Sequence, residues 1–319
     1  MFWILIPLTR IVLHEASGFW QWSDYLQRKA RELGKEPILI NLDETSVSRS
    51  AHDAVGLIVT QRWLGDEPRP GQPINRQQLR GTISHVALIS PHPEVQRLLP
   101  QIFIGNYRMF PQSLMAHMAS QLPSNVQLWR RKSSWNTGEL MLLILQEIAN
   151  VMQQHFPNAQ PILIMDSAPI HLARAVIRRS TELGIWVLVV PARCTYALQP
   201  LDVCTFSRYK AYLRRAYQRA KNANGIVTDI AWANTLVDVV RDVLNATNWQ
   251  DAFLQTGILG VRALGGLTRD LRTVSEAALA PASRRPSVHT LRLLWPTNRF
   301  LPYAQLLGRV LGGRVRVIV

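Results

Sequence analysis

The chain contains little cysteine, few acidic residues and no long uninterrupted apolar run. Its two cysteines, Cys194 and Cys204, have neither CxxC nor Cys/His ligand spacing. This excludes a disulfide framework and a zinc finger, and it favours a reducing compartment. The apolar run at residues 1–8 is broken at Thr9, far short of the roughly 20 residues of a membrane helix, and it lacks signal-peptide features. We therefore expect a soluble protein that is neither secreted nor membrane-spanning.

Apolar residues and positive charge are abundant. The chain has 319 residues, of which 47% are hydrophobic and only 18% are charged, so most of it must fold, as one large domain or two modest ones. Its 36 Lys and Arg outnumber 21 Asp and Glu, which gives a net charge of +15 and a pI near 10.8. Such an excess neutralises phosphates and therefore favours a polyanionic partner.

Apolar periodicity predicts alternating strands and helices. Short apolar runs predict strands at 37–42, 55–60, 83–90, 101–105, 161–165 and 185–190. Apolar residues at helical spacing predict helices at 17–34 and 169–183, and another that is capped by Asn136 or Thr137 and ends before Pro157. Strand, helix and strand in succession after Pro157 indicate parallel α/β connections. A Pro/Gly-rich loop covers 65–80, and helices continue from Leu201 to about Leu264.

Two of these strands run directly into an aspartate, Asp43 and Asp166. In an open parallel sheet, ligands bind beyond the carboxyl ends of strands, so the two residues share a crevice if their strands are neighbours. Their mutual repulsion is relieved either by a raised pKa or by a hard cation, for which carboxylate oxygens are the preferred ligands. Asp202 opens the following basic helix, where the helix dipole favours an acid, and it is the candidate third carboxylate.

Each of these residues also has a plainer interpretation. An aspartate after a strand most often caps a helix or forms a turn, and both Asp166 and Asp202 fit that role. His171 is typical of a structural residue in a first helical turn, and Glu44 of a solvated side chain. The basic helix at 207–221 equally fits a solvated face whose tyrosine rings lie in the core.

Three motifs occur in a fixed order, Asn41-Leu-Asp-Glu-Thr45, Asp166-Ser-Ala-Pro-Ile-His171 and Leu198-Gln-Pro-Leu-Asp202. They resemble the three motifs of the DDE superfamily endonuclease domain in pogo, Tigger and jerky-type transposases, which are relatives of the mariner group. The resemblance covers roughly residues 17–260. The chain departs from the usual pattern at Ser167, where the family has Asn, and at residues 193–197.

The resemblance implies an α/β, RNase H-like fold, with a mixed five-stranded sheet flanked by helices, neighbouring first and fourth strands, and a C-terminal helical region. We expect a helical lead-in at 1–36, the endonuclease domain at 37–265 and a basic, poorly ordered tail at 266–319. The resemblance implies that Asp43, Asp166 and Asp202 hold two Mg²⁺ or Mn²⁺ ions for DNA strand cleavage and phosphoryl transfer. Supporting residues around them are Glu44, Ser167 and His171.

Basic residues would position the DNA backbone without reading its sequence. The candidates lie in two clusters, Arg208, Lys210, Arg214 and Arg215 on the basic helix and Arg130, Arg131 and Lys132 ahead of the capped helix. The resemblance implies a helix-turn-helix domain ahead of the nuclease, and we expect the short segment before Asp43 to lack one. We also expect a nuclear location and leave a homodimer open. The alternatives are a non-catalytic DNA- or chromatin-binding protein that retains the transposase fold, and an RNase H-type enzyme acting on RNA–DNA hybrids.

Overall fold

The structure is a computed structural model that describes residues 5–49, 82–192 and 194–259. The predicted strand at 55–60, the loop at 65–80 and the basic tail at 266–319 lie outside the described residues. Within those described ranges, none of the helices is long and apolar enough to cross a membrane.

Helices and strands alternate along the described chain. In chain order they are α1 (Leu5–Glu32), β1 (Glu36–Ser48), β2 (Thr82–Ile89), α2 (Pro93–Gln96), β3 (Gln101–Asn106), α3 (Gln112–Met118), β4 (Val126–Arg131), α4 (Gly138–His155), β5 (Ala159–Met165), α5 (Arg174–Glu182), β6 (Trp186–Val189), α6 (Thr195–Leu198), α7 (Phe206–Asn224), α8 (Asp229–Val239) and α9 (Gln250–Gln255). Two π-helical turns, Leu201–Thr205 and Val240–Leu244, precede α7 and follow α8.

The six strands of the described residues form one mixed sheet in the order β4-β3-β2-β1-β5-β6. β2 is antiparallel to both β1 and β3, whereas the pairs β3–β4, β1–β5 and β5–β6 are parallel. It follows that β2 alone runs against the other strands. The carboxyl ends of β1, β3, β4, β5 and β6 therefore all point to the same end of the sheet.

This architecture confirms the expected α/β, RNase H-like fold, in which the strand of the first motif neighbours the strand of the second. The sheet has six strands rather than the expected five. The additional strand is β4, in which buried Val126 and Leu128 alternate with half-buried Gln127 and Trp129. Such alternation is typical of a strand with one face on the core. Because β4 precedes it, the strand of the second motif is fifth in chain order instead of fourth.

The N-terminal helix packs into the same core as the sheet. α1 contacts β1 and β6, and it begins at Leu5, well before the predicted start at residue 17. Trp20 Nε1 donates to the carbonyl oxygen of Thr256 at 2.9 Å, and Gln27 Nε2 donates to that of Ile258 at 3.2 Å. These bonds connect α1 to the far end of the described chain.

The basic helix α7 buries its aromatic face. Phe206, Tyr209 and Tyr217 are buried, while its predicted DNA-binding arginines and lysine are exposed. The hydroxyl of Tyr209 lies 2.8 Å from Nδ1 of His85 on β2, and the His85 ring stacks on Phe103 with ring centroids 4.0 Å apart. Burial lowers the pKa of His85 to about 3, so its imidazole is neutral. Tyr209 and Tyr217 thus lie in the core, whereas Tyr212 is only half-buried.

Candidate active site

The pairing of β1 with β5 sets Asp43 beside Asp166. Asn41 lies opposite Ile164, so continuing the register by two residues brings Asp43 level with Asp166. Neighbouring strands are about 4.8 Å apart, which places the two carboxylates close together. Asp43 lies inside β1 rather than after it as predicted, because β1 continues along β2 to Ser48, with Asp43 opposite Ala87.

A buried asparagine holds the third motif against these strands. Asn41 Nδ2 donates to the carbonyl oxygen of Ile164 at 3.0 Å, and Asn41 Oδ1 accepts from the backbone N–H of Leu201 at 2.9 Å. Leu201 directly precedes Asp202, so one side chain fixes β1, β5 and the π-helical turn that leads into α7. Asn41 belongs to the first motif, but the motif assigned it no role. A polar residue inside the apolar run of β1 was the signal for one.

Several acidic side chains near Asp43 affect its pKa. Burial, followed by the negative charges of Asp202, Glu44 and Asp166, raises the pKa of Asp43 to about 8. Partial burial of its carboxylate and the charge of Asp166 also raise the pKa of Asp202, although Thr195 and the nearby Lys210 act in the opposite direction. The three predicted aspartates, from three separate segments, thus interact electrostatically.

His171 bridges two of the acidic residues. Its ring is fully buried, with Nδ1 2.5 Å from Asp166 Oδ1 and Nε2 3.2 Å from Glu44 Oε1. Burial lowers the pKa of His171, but the contacts with Asp166 and Glu44 outweigh burial and raise it to about 10. The imidazole is therefore a cation at neutral pH and donates from both nitrogens.

The turn around His171 also explains where the next helix begins. Asp166 Oδ1 accepts from the backbone N–H of Ala168 at 2.9 Å, so Asp166 forms a turn and does not cap a helix. Burial raises the pKa of Asp166, yet its bonds to His171 and Ala168 outweigh burial and hold the pKa below its usual value. α5 consequently begins at Arg174, five residues later than predicted. Ser167 is half-buried in this turn.

The side chain of Glu44 forms hydrogen bonds within the protein and is not simply solvated. In addition to His171, Glu44 Oε1 accepts from Nδ2 of Asn136 at 2.5 Å. Asn136 was weighed only as a helix cap, and the cap is Thr137, whose hydroxyl accepts from the backbone N–H of Leu140 at 3.3 Å. Asn136 thereby connects the segment between β4 and α4 to the acidic site. No local sequence pattern predicts this contact.

The donor types at this site suit a divalent cation. Asp43, Asp166 and Asp202 supply the carboxylate oxygens that Mg²⁺ and Mn²⁺ prefer, and the repulsion around Asp43 is what such a cation relieves. Across the described part of the chain, however, no three His, Cys, Asp or Glu side chains are grouped closely enough to hold one metal ion. The residues fit a cation by chemistry and charge without enclosing one.

The two predicted basic clusters lie in different settings. Lys210 on α7 is close enough to Asp202 to lower its pKa. At the end of β4, Arg130 is half-buried, donates from Nε to the carbonyl oxygen of Phe110 at 2.8 Å, and places its guanidinium 4.3 Å from the ring centroid of Tyr107. The remaining members of both clusters, Arg131, Lys132, Arg208, Arg214 and Arg215, are exposed.

A human protein matches part of this chain. The chain is 24% identical over 151 residues to the human protein "Pogo transposable element with ZNF domain", a match that covers 44% of this chain and 10% of that protein. The chain therefore spans about a tenth of the length of this relative.

Two solved structures are similar at 13% identity. The first, "Mos1 transposase paired-end complex with left transposon end", has a TM-score of 0.38 and covers 77% of this chain and 62% of that one. The second, "Crystal structure of a pre-cleavage Mos1 transpososome", has a TM-score of 0.37 and covers 78% and 63%.

The family model described as "DDE superfamily endonuclease" matches residues 94–253, which is half of the chain. The matched segment contains Asp166, Asp202 and the whole of β4 to α8. By this match, the chain belongs to the DDE superfamily endonucleases.

Proposed function

We propose that this chain is a metal-dependent DNA endonuclease of the transposase type, in which Asp43, Asp166 and Asp202 hold two Mg²⁺ or Mn²⁺ ions. The observation that carries the proposal is that the β1–β5 register and the Asn41 hydrogen bonds bring the segments of all three aspartates together. When bound, the ions activate a water or a 3′-hydroxyl for in-line attack on a phosphodiester and stabilise the leaving oxygen.

Neighbouring groups orient the Asp166 carboxylate and the segment that carries Asp202. His171 and the backbone N–H of Ala168 both bind Oδ1 of Asp166, and no hydrogen bond reaches Oδ2 from the described residues. Asn41 holds the residue before Asp202 on β1. Fixed carboxylates bind a cation with less loss of conformational freedom, and residues that orient metal ligands typically affect metal affinity about 10- to 100-fold.

The exposed cations supply the contact with the DNA backbone. Arg208, Arg214 and Arg215 are exposed on the helix that follows Asp202, where guanidinium groups would neutralise backbone phosphates. Contacts of this kind position DNA without reading bases, and their contribution falls as salt rises. Because DNA is the proposed substrate, we also propose a nuclear location.

The test is nicking of supercoiled plasmid by purified protein in the presence of Mg²⁺ or Mn²⁺. Each of Asp43→Asn, Asp166→Asn and Asp202→Asn is expected to reduce nicking to the level without metal, while binding to DNA stays equal or becomes tighter because negative charge is removed. Asp238→Asn, which changes a surface aspartate paired with Arg241, is the matched control and should nick like the wild type. Equal nicking by all four variants contradicts the assignment.

A non-catalytic DNA-binding protein is the second candidate function. It is favoured by the ion pair that already neutralises Asp166 and by the lack of a closed ligand cluster among the residues that the structure describes. In that case neither cation raises the melting temperature or supports cleavage, yet DNA binding remains and is salt-sensitive. An RNA–DNA hybrid of the same sequence, tested beside the duplex, separates an RNase H-type activity from both.

A further inference from the structure

Two large aromatic side chains are exposed at the end of the sheet that carries the acidic site. Trp135 is 72% exposed and Tyr107 is 53% exposed. Tyr107 directly follows β3, and Trp135 follows β4 by four residues. The two strands are parallel, with Asn106 opposite Arg131, so both aromatic residues leave the sheet at the same end.

The backbone around Trp135 is held on both sides. The hydroxyl of Ser134 accepts from the backbone N–H of Asn106 at 3.1 Å, which ties the segment to β3. On the other side, Asn136 donates to Glu44, the neighbour of Asp43. A single exposed apolar residue needs no explanation. Here, however, the large exposed indole of Trp135 is adjacent in the chain to Asn136, and Asn136 contacts Glu44.

The charges around the two rings indicate which class of partner binds there. The Arg130 guanidinium stacks on Tyr107. Arg131 and Lys132, which precede Trp135 by four and three residues, are exposed. An apolar protein surface offers no negative charge to pair with these cations. Exposed aromatic faces among cations suit nucleotides, because bases stack on the rings while the cations neutralise phosphates.

We propose that Trp135 is a stacking site for an unpaired DNA base beside the acidic site, with Tyr107 as a second platform and Arg131 and Lys132 on the adjoining phosphates. This rests on the proposed function only in that the partner is DNA. The consequence is a preference for DNA whose bases are already unpaired, since such a base can reach the indole without the cost of unstacking.

The test compares binding to a paired duplex with binding to the same duplex carrying a short single-stranded overhang. Affinities are measured by fluorescence anisotropy with EDTA present, so that cleavage plays no part. Trp135→Ala is expected to weaken binding to the overhang substrate about tenfold and to leave binding to the paired duplex unchanged. Trp135→Phe should keep most of the overhang preference, because a phenyl ring still stacks.

A matched control and a spectroscopic readout distinguish stacking from a structural effect. Leu33→Ala removes another exposed apolar side chain, 54% exposed, near the start of β1 at the opposite end of the sheet, and should change neither affinity. Addition of overhang DNA should quench tryptophan emission in the wild type, and Trp135→Phe should abolish that quenching while still binding.

Three results would overturn the inference. These are wild-type affinity of Trp135→Ala for the overhang, equal weakening of both substrates, and undiminished quenching in Trp135→Phe. A wild-type protein that binds neither DNA overturns the proposed DNA partner as well. Overhang preference in a protein that never nicks DNA supports the stacking site and contradicts only the endonuclease.

Discussion

Replacement of Asn41 by alanine tests how the third motif is held on the sheet. The substitution removes a buried amide that donates to the Ile164 carbonyl at 3.0 Å and accepts from the Leu201 N–H at 2.9 Å. The Leu201 N–H would then be buried without this partner, at a cost of about 1–3 kcal/mol. Loss of the hydrogen bond to the Ile164 carbonyl oxygen adds to that cost. We expect Asn41→Ala to lower the free energy of unfolding by about 3 kcal/mol.

The assay is urea unfolding followed by tryptophan fluorescence. With a denaturant slope of about 3 kcal/mol per molar, the expected loss moves the midpoint by about 1 M. The control is Asn150→Ala on α4, where Asn150 is exposed and accepts only from Gln146 at 2.7 Å, so a change within about 0.5 kcal/mol is expected.

A second measurement separates loss of stability from loss of positioning. At a temperature where Asn41→Ala remains folded, its metal-dependent nicking should still be lower than that of the wild type, because Asp202 is no longer held beside Asp43. An unchanged urea midpoint would refute the stability argument. An unchanged nicking rate would refute the claim that Asn41 positions the third motif.

Three further predictions concern the core and the basic surface. Tyr209→Phe removes the hydroxyl that lies 2.8 Å from His85 Nδ1 and should lower stability by about 1–2 kcal/mol in thermal unfolding. Gly257→Ala should cost about 3 kcal/mol, since φ is +76° and the new methyl carbon would lie 2.8 Å from an indole nitrogen on α1, whereas Gly34→Ala, at φ +72° in open space, should cost about 1 kcal/mol. Arg214→Ala should reduce the slope of log affinity for DNA against log salt by about one, and an unchanged slope would remove Arg214 from the phosphate contacts.

Local patterns predicted most of the helices and strands that the structure describes. β2, β3, β5 and β6 lie within a residue or two of the predicted runs, and Thr137, one of the two predicted candidates, caps α4. The errors concern contacts between distant segments. β1 extends past Asp43 because β2 pairs with it as far as Ser48. The start of α5 is displaced because the preceding turn closes around His171.

The site shows the same division between local and distant information. The motifs marked Asp43, Asp166 and Asp202, and the structure shows that their charges interact. The motifs did not reveal that Asn41 holds the third segment or that Asn136 reaches Glu44 from beyond β4. Both side chains are ordinary polar residues in sequence, and their roles depend on partners more than 90 positions away.

The amino-acid sequence by itself determined the alternation of strands and helices, the order of the three acidic motifs and the large positive charge, because each follows from residue type and short-range spacing. Only the tertiary structure decided which charges meet. Strand pairing sets Asp43 beside Asp166, and the Asn41 amide holds the residue before Asp202 on the same strand. Burial of the Asp43 carboxyl and the negative charges around it raise its pKa. Electrostatic interaction depends on distance and on exclusion of water, and neither quantity exists until the chain has folded.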